Sequence, residues 1–190
     1  MTWEGVSPPY ATIVADPPWD HSDGTGKGYG LTNPHRKLVT KLSYGVMALD
    51  DVMALPVSDI AASDAHLYLW TTNRFLRGAY DVAEAWGFRV SKPLVWCKEP
   101  KGFFGPPFTS SVEFCLFCRR GSLKTLTRVD RQWWTWPRGA HSVKPGGFMD
   151  IVEQVSPGPY VELFARQPRL GWDAWGYGYE TPRPPDMGVE

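Results

Sequence analysis

The chain has 190 residues, 43% of them hydrophobic, which suits one domain with one core and excludes an intrinsically disordered protein. Its 20 basic and 20 acidic side chains cancel, so any nucleic-acid binding must come from local patches rather than a global field. No apolar run reaches the roughly 18 residues of a membrane span, and Met1-Thr2-Trp3-Glu4 is not a basic, signal-like start, so a cytoplasmic protein without a membrane partner is expected.

Residues 11–15 form a short apolar, β-branched run that stops at Asp16-Pro17-Pro18-Trp19, the pattern of a buried strand entering a rigid loop. Residues 20–43 are rich in Gly and polar side chains and predict a long loop. Helical signals span 49–62, with Pro56 set to start or interrupt a helix. Residues 66–70 predict a second buried strand. Phe75, Leu76, Ala79, Val82, Ala83 and Trp86 recur at helical spacing, and Gly87 supplies a stop. Two further strands are expected over 88–97 and 111–118, a helix over 149–155 behind Pro145-Gly146-Gly147, and a strand over 160–164. A single domain over 1–190 is expected, with a loose Pro-rich tail from about residue 182. Strands alternating with helices predict an α/β fold with a largely parallel sheet and flanking helices. Ligands of such sheets bind at the carboxyl ends of strands, where Asp16 and Arg166 both fall.

Cys115 and Cys118 make a C-x-x-C, but they lie in a strand-like run where positions three apart face opposite ways, so no metal is expected there. Residues 24–30 are Gly-rich with Lys27, yet they lack phosphate-loop spacing. They read as an active-site lid, with His21 and Lys27 touching nucleic acid. Arg119, Arg120, Arg131 and Arg138 belong to a basic stretch interrupted by Trp133, Trp134 and Trp136. Cations interleaved with aromatics suit phosphate neutralisation and base stacking; a solvated loop beside a core Trp cluster is the alternative.

Two prolines in a row hold the backbone of Asp16-Pro17-Pro18-Trp19 stiff and leave carbonyls free to accept. A carboxylate beside such carbonyls suits an amine with two N–H donors, such as N6 of adenine. Acceptors out of the ring plane favour the nucleophilic, pyramidal amine and stabilise positive charge developing on it. Trp19 would stack on the purine. The plainer alternative is a Pro-rich turn over a buried Trp.

In order along the chain, these residues resemble the MT-A70 family of N6-adenine methyltransferases, in its compact phage and bacterial form. The likeness rests on Val14-Ala15-Asp16-Pro17-Pro18-Trp19, Ser43-Tyr44-Gly45, Leu67-Tyr68-Leu69-Trp70-Thr71-Thr72-Asn73, and Val95-Trp96-Cys97-Lys98. It continues through His141-Ser142-Val143-Lys144-Pro145, Glu162-Leu163-Phe164-Ala165-Arg166 and Trp172-Asp173-Ala174-Trp175-Gly176. The resemblance implies a Rossmann-like fold that uses S-adenosyl-L-methionine, with Asp16, Pro17, Pro18 and Trp19 holding the target amine and base. It implies that Asp16, Glu162, Phe164, Arg166, Trp175 and Gly176 line the cofactor site, Glu162 and Arg166 at the ribose. His141, Ser142 and Lys144 precede a helix whose start could receive the methionine carboxylate. Two departures from the family pattern stand out. Tyr177 follows Gly176 where relatives often carry an Asn, and about ten residues precede the first strand where larger relatives have a polar segment.

The resulting expectation is methylation of adenine N6 in DNA, with RNA as the closest rival and the adenine single-stranded or flipped from the duplex. A catalytically impaired partner subunit and a methyltransferase for another amine are the other readings. Whether the chain works alone, as a homodimer or with a partner subunit stays open.

Overall fold

A computed structural model describes residues 3, 6–20, 46–99, 108–138 and 144–176. Among the described residues seven strands form one sheet: β1 Tyr10–Ala15, β2 Ala61–Thr71, β3 Arg89–Glu99, β4 Val112–Arg120, β5 Trp133–Pro137, β6 Tyr160–Leu163 and β7 Trp172–Trp175. Their order across the sheet is β5-β3-β4-β2-β1-β6-β7. β1 runs parallel to both β2 and β6, β6 to β7, and β3 to β5, while β4 runs antiparallel to β2 and β3. Six strands therefore share one direction and β4 alone opposes them. The largely parallel α/β sheet read from the sequence is present.

β1 is the centre of the molecule. Ile13 and Ala15 face one side with Leu67 and Leu69 of β2, and Val14 faces the other with Tyr68 and Trp70. Burial on both faces is why these strands read as unbroken apolar runs. On the first face lie helices α1 Leu49–Met53 and α2 Leu76–Ala85. Pro56 does break the helical segment, which resumes as a short 3-10 turn over Val57–Asp59. α2 buries Ala79, Val82 and Ala83, and the Trp86 indole N–H donates to the Val52 carbonyl at 3.0 Å, tying the two helices together. Gly87 ends α2 with a φ of +81°, while Phe88 N–H returns to the Ala83 carbonyl, so the predicted stop has the left-handed geometry that favours glycine. On the second face lies α3 Gly146–Val155, which buries Phe148 and Val152.

Two strands were not anticipated. β5 is an aromatic edge strand that the sequence presented as a basic, Trp-containing stretch. β7 is four residues long and gives too short a pattern to read. Cys115 packs in one core cluster and Cys118 in the other, as strand alternation requires, and both are free thiols. Among the described residues no group of three or more His, Cys, Asp or Glu is placed to hold a metal, and no helix is long and apolar enough to cross a membrane. The expected loop over 21–43, the lid residues His21 and Lys27, residues His141 and Ser142, Tyr177 and the tail from 182 lie outside the described residues.

Candidate active site

The sheet reverses its winding at β1, with β2 on one side and β6 on the other, and the carboxyl ends of these strands open a crevice. Asp16 sits just past β1, and its N–H donates to the Leu163 carbonyl of β6 at 3.4 Å. Val14 pairs with Glu162 across the sheet, so Glu162 lies on the same face one step below. Asp16, Trp70, Lys144, Met149, Glu162 and Arg166 line a cavity of about 190 Å³.

Charges alternate across this edge. The Lys144 ammonium donates to both Asp16 oxygens, at 2.7 and 2.8 Å, and lies 3.4 Å from the Glu113 carboxylate. Glu113 in turn is joined to Lys98. Arg166 lies 3.5 Å from Asp16 Oδ2, the oxygen that Lys144 also holds at 2.7 Å. The Lys144 ammonium also lies 5.3 Å from the centre of the Trp70 ring. Burial alone would lower the Lys144 pKa, but Asp16 and Glu113 hold it above its ordinary value. Burial would raise Glu113, yet Lys144 and Lys98 pull it below the usual carboxylate range. Glu162 behaves differently: burial, and then the neighbouring Asp16 carboxylate, push it up to about 7, against the pull of Arg166 and Arg169. An adjoining cluster braces the rim, where Arg169 clamps Glu153 at 2.8 and 2.9 Å and Asp150 at 2.7 Å.

The loop after Asp16 is stiff, as two prolines demand, but its carbonyls are in use. The Pro17 carbonyl accepts from Trp19 N–H and the Pro18 carbonyl from Met47 N–H, each at 2.9 Å. Each oxygen keeps a second lone pair. Trp19 departs from its expected role. It is 5% exposed, one ring face stacks on Phe75 with centroids 5.4 Å apart, and its indole N–H donates to the Trp70 carbonyl at 3.1 Å. A ring so placed braces the loop from below and has no open face for a purine, because packing it into the first core buries more apolar surface than leaving it at the rim.

Lys144 was expected at a carboxylate of the cofactor and is found on the catalytic candidate Asp16. Phe164, directly after β6, has a φ of +64°, a left-handed conformation that is costly for a bulky residue and carries the chain from Glu162 round to Arg166. Gly176 is needed for close approach: a Cβ there would lie 2.3 Å from the Ala165 carbonyl oxygen, where β7 closes against the end of β6. Trp175 packs edge-on to Phe164 at 5.4 Å.

The cationic candidates divide. β4 is antiparallel, so Arg119 and Arg120 at its carboxyl end fall on the edge of the sheet opposite Asp16. Their guanidinium groups donate to the Leu123 and Ser58 carbonyls at 2.9 and 3.0 Å. Those bonds give them a structural role at the edge away from Asp16. Arg131, before β5, is also near that far edge but is exposed. Arg138, after β5, is exposed on the same edge as Asp16 and donates to the Ser110 carbonyl at 3.3 Å. Conversely, Lys98 and Glu113 enter the site although neither was singled out for it.

A model of the MT-A70 family matches residues 10–178. The chain is 31% identical over 179 residues to the Type II methyltransferase M.MunI of Mycoplasma sp, covering 88% of this chain and 76% of that protein. It is 28% identical over 192 residues to a putative N(6)-adenosine-methyltransferase MT-A70-like protein of Medicago truncatula. It is 24% identical over 166 residues to the human N(6)-adenosine-methyltransferase catalytic subunit METTL3. These matches cover 95% and 83% of this chain but 28% and 26% of the relatives. Fold and likeness together define the class, an S-adenosylmethionine-dependent methyltransferase domain. More narrowly, the chain belongs to the MT-A70 family.

Proposed function

We propose that this chain methylates the N6 amine of adenine in DNA, using S-adenosyl-L-methionine. The observation that carries the reading is a carboxylate, Asp16, fixed at the switch point of the sheet by Lys144 and Arg166, with Glu162 a strand away in one cavity. The donor set fits the cofactor: Glu162 can accept from two vicinal ribose hydroxyls, Arg166 can donate to them, and Phe164 offers an apolar wall. When bound, S-adenosyl-L-methionine supplies an electrophilic methyl group.

The residues of the chain do the rest. Asp16 accepts a hydrogen bond from the adenine amine and orients its lone pair, and its negative charge stabilises the cation that develops on nitrogen. Each Asp16 oxygen keeps a lone pair beyond the one that Lys144 occupies, so it can accept from the amine while the ammonium, 3.4 Å from Glu113 as well, stays ion-paired. Ionised Glu162 binds the ribose hydroxyls better than the neutral acid, because a carboxylate is an acceptor at both oxygens.

DNA is favoured by the likeness to a Type II methyltransferase, of which the chain covers 76%; RNA is the second reading, suggested by the several relatives named for adenosine methylation. The test is transfer from labelled S-adenosylmethionine to single-stranded DNA, duplex DNA and RNA, with nucleosides resolved afterwards. Label in N6-methyldeoxyadenosine is expected. Asp16→Ala should lower turnover by roughly a thousandfold or more while cofactor affinity changes little. Near wild-type transfer by that variant would remove Asp16 from the reaction.

A further inference from the structure

A second and larger cavity, about 770 Å³, opens on the same face of the sheet as the active site, on the other side of α3. It exists because β5 is short. Pairing of β3 with β5 begins only at Val95, so the first half of β3 has no strand beyond it, and Pro93 occupies that unpaired stretch. Ile151 and Val155 of α3 line it together with Thr125 and residues 127–132, a segment tied to the end of α3 where Leu126 N–H donates to the Val155 carbonyl at 2.8 Å. Tyr68, Phe117 and Trp134 supply the cavity's aromatic lining, while Trp133, which precedes Trp134 in β5, turns its ring to the other face of the sheet and is 55% exposed. Trp134 stacks in parallel on Trp136, 5.7 Å apart, which extends the aromatic surface along β5 toward the edge that carries Asp16.

The charge of this lining departs from that of the molecule. The whole chain is neutral, yet the cavity gathers Lys92, Arg128 and Arg131 against the single carboxylate Asp130. Thr125, Thr127 and Gln132 add neutral donors and acceptors. Flat aromatic surface inside a cationic rim suits a base flanked by phosphates. At the other end of β5, Arg138 continues the positive charge onto the active-site edge. From β1 to β5 there are four strand spacings, about 19 Å, and the start of β5 lies about 13 Å back from the carboxyl edge, so the two sites are about 23 Å apart on the diagonal, a span that several extended nucleotides can bridge.

We infer that this cavity is a subsite for single-stranded nucleic acid flanking the target adenine, with a base stacked on Trp134 and its phosphates met by Arg128, Arg131 and Lys92. The inference rests on the proposed function, since it supplies the grip that the small catalytic cavity lacks. Protein partners also favour aromatic residues and arginine, but three cations against one carboxylate match a polyanion better than a mixed protein surface.

The experiment compares wild type with Trp134→Ala and with Arg128→Glu/Arg131→Glu, all positions outside the catalytic cavity. Methyl transfer is measured to a trinucleotide centred on adenine and to a 15-mer, as DNA and as RNA, with direct binding of a fluorescent 15-mer. The expected result is a KM for the 15-mer raised about tenfold in each variant, since loss of one stacked base costs roughly that factor, with kcat, trinucleotide KM and cofactor affinity unchanged. The double variant should also flatten the salt dependence of 15-mer binding by at least about 1.4 in log-log slope, from two lost phosphate contacts. Equal loss on the trinucleotide, an unchanged 15-mer KM, or a shift in sedimentation that shows the face to join two copies would overturn the subsite. If no adenine is methylated yet 15-mer binding still weakens in the variants, the proposed reaction fails and the subsite stands.

Discussion

The two edges of the sheet treat polar groups in opposite ways. At the edge opposite the active site, side chains satisfy backbone. His66 meets the Ser156 hydroxyl at 2.8 Å and the Leu123 carbonyl at 3.2 Å, Tyr68 shares the same hydroxyl, and Arg119 and Arg120 donate to carbonyls. These bonds have no substitute ligand, and breaking them leaves buried groups without partners. At the carboxyl edge Lys98, Glu113, Lys144, Asp16 and Arg166 answer one another, charge to charge. Each partner there can be exchanged for a ligand of like charge. One edge holds the fold, and the other is built to be rearranged.

Breaking that contrast at the active edge should have the largest effect. Lys144→Met removes the cation that holds Asp16, and turnover is expected to fall about a hundredfold with thermal stability within a degree or two of wild type. A comparable fall in melting temperature would show that the row of charges serves stability instead. At the other edge the reverse is expected. His66→Ala should cost about 2 kcal/mol in denaturant unfolding, from a cavity and an unpaired Ser156, and leave cofactor affinity unaltered. Burial lowers the His66 pKa below its ordinary 6.5, so the native state takes up its proton less readily than the unfolded chain. Wild-type stability should therefore fall as pH drops below 6.5, and His66→Ala should flatten that fall.

Glu162→Gln sharpens the comparison with the smallest effect. The wild-type carboxyl is raised to about 7, so it is neutral below that pH and ionised above it. Cofactor affinity should rise through neutral pH in wild type, and the variant should lose that rise and bind about tenfold more weakly at pH 8. A raised carboxyl pKa also means that this group's contribution to stability declines as pH climbs from the unfolded value toward 7. The ligand-free variant should accordingly be more stable than wild type at pH 8, by calorimetry, while binding less. An affinity profile flat with pH in both proteins would show that Glu162 does not meet the cofactor.

The parts of this molecule that the sequence revealed are those whose signal is local. β1, β2 and α2 carry long or strongly periodic apolar patterns, and Gly87 is a stop that acts within one turn. The positions of Asp16 and Arg166 at the carboxyl edge were legible because each follows a strand of known direction, whereas Glu162 was indicated by the family resemblance. Glu113 and Lys98 were not legible, because their place depends on the reversal of β4. An antiparallel strand brings its first residues, not its last, to the active edge, and nothing within residues 112–120 announces its direction. The same reversal sent Arg119 and Arg120 to the edge opposite Asp16, where their guanidinium groups hold backbone carbonyls. Trp19 was misjudged for a different reason: a Trp beside two prolines reads alike whether its ring is a floor or a platform, and only the neighbouring Phe75 and Trp70 decide.

The pairing of β1 with β6 has a consequence in time as well as space. β3 and β4 are neighbours in sequence and can zip together early, whereas Thr12 of β1 and Tyr160 of β6 meet across about 150 residues, a closure expected late in folding. Asp16 and Glu162 sit on the strands that close last. A partly folded chain can hold its helices and much of its sheet and still have no active site, so the first trace of activity during refolding would report arrival of the native state rather than progress toward it.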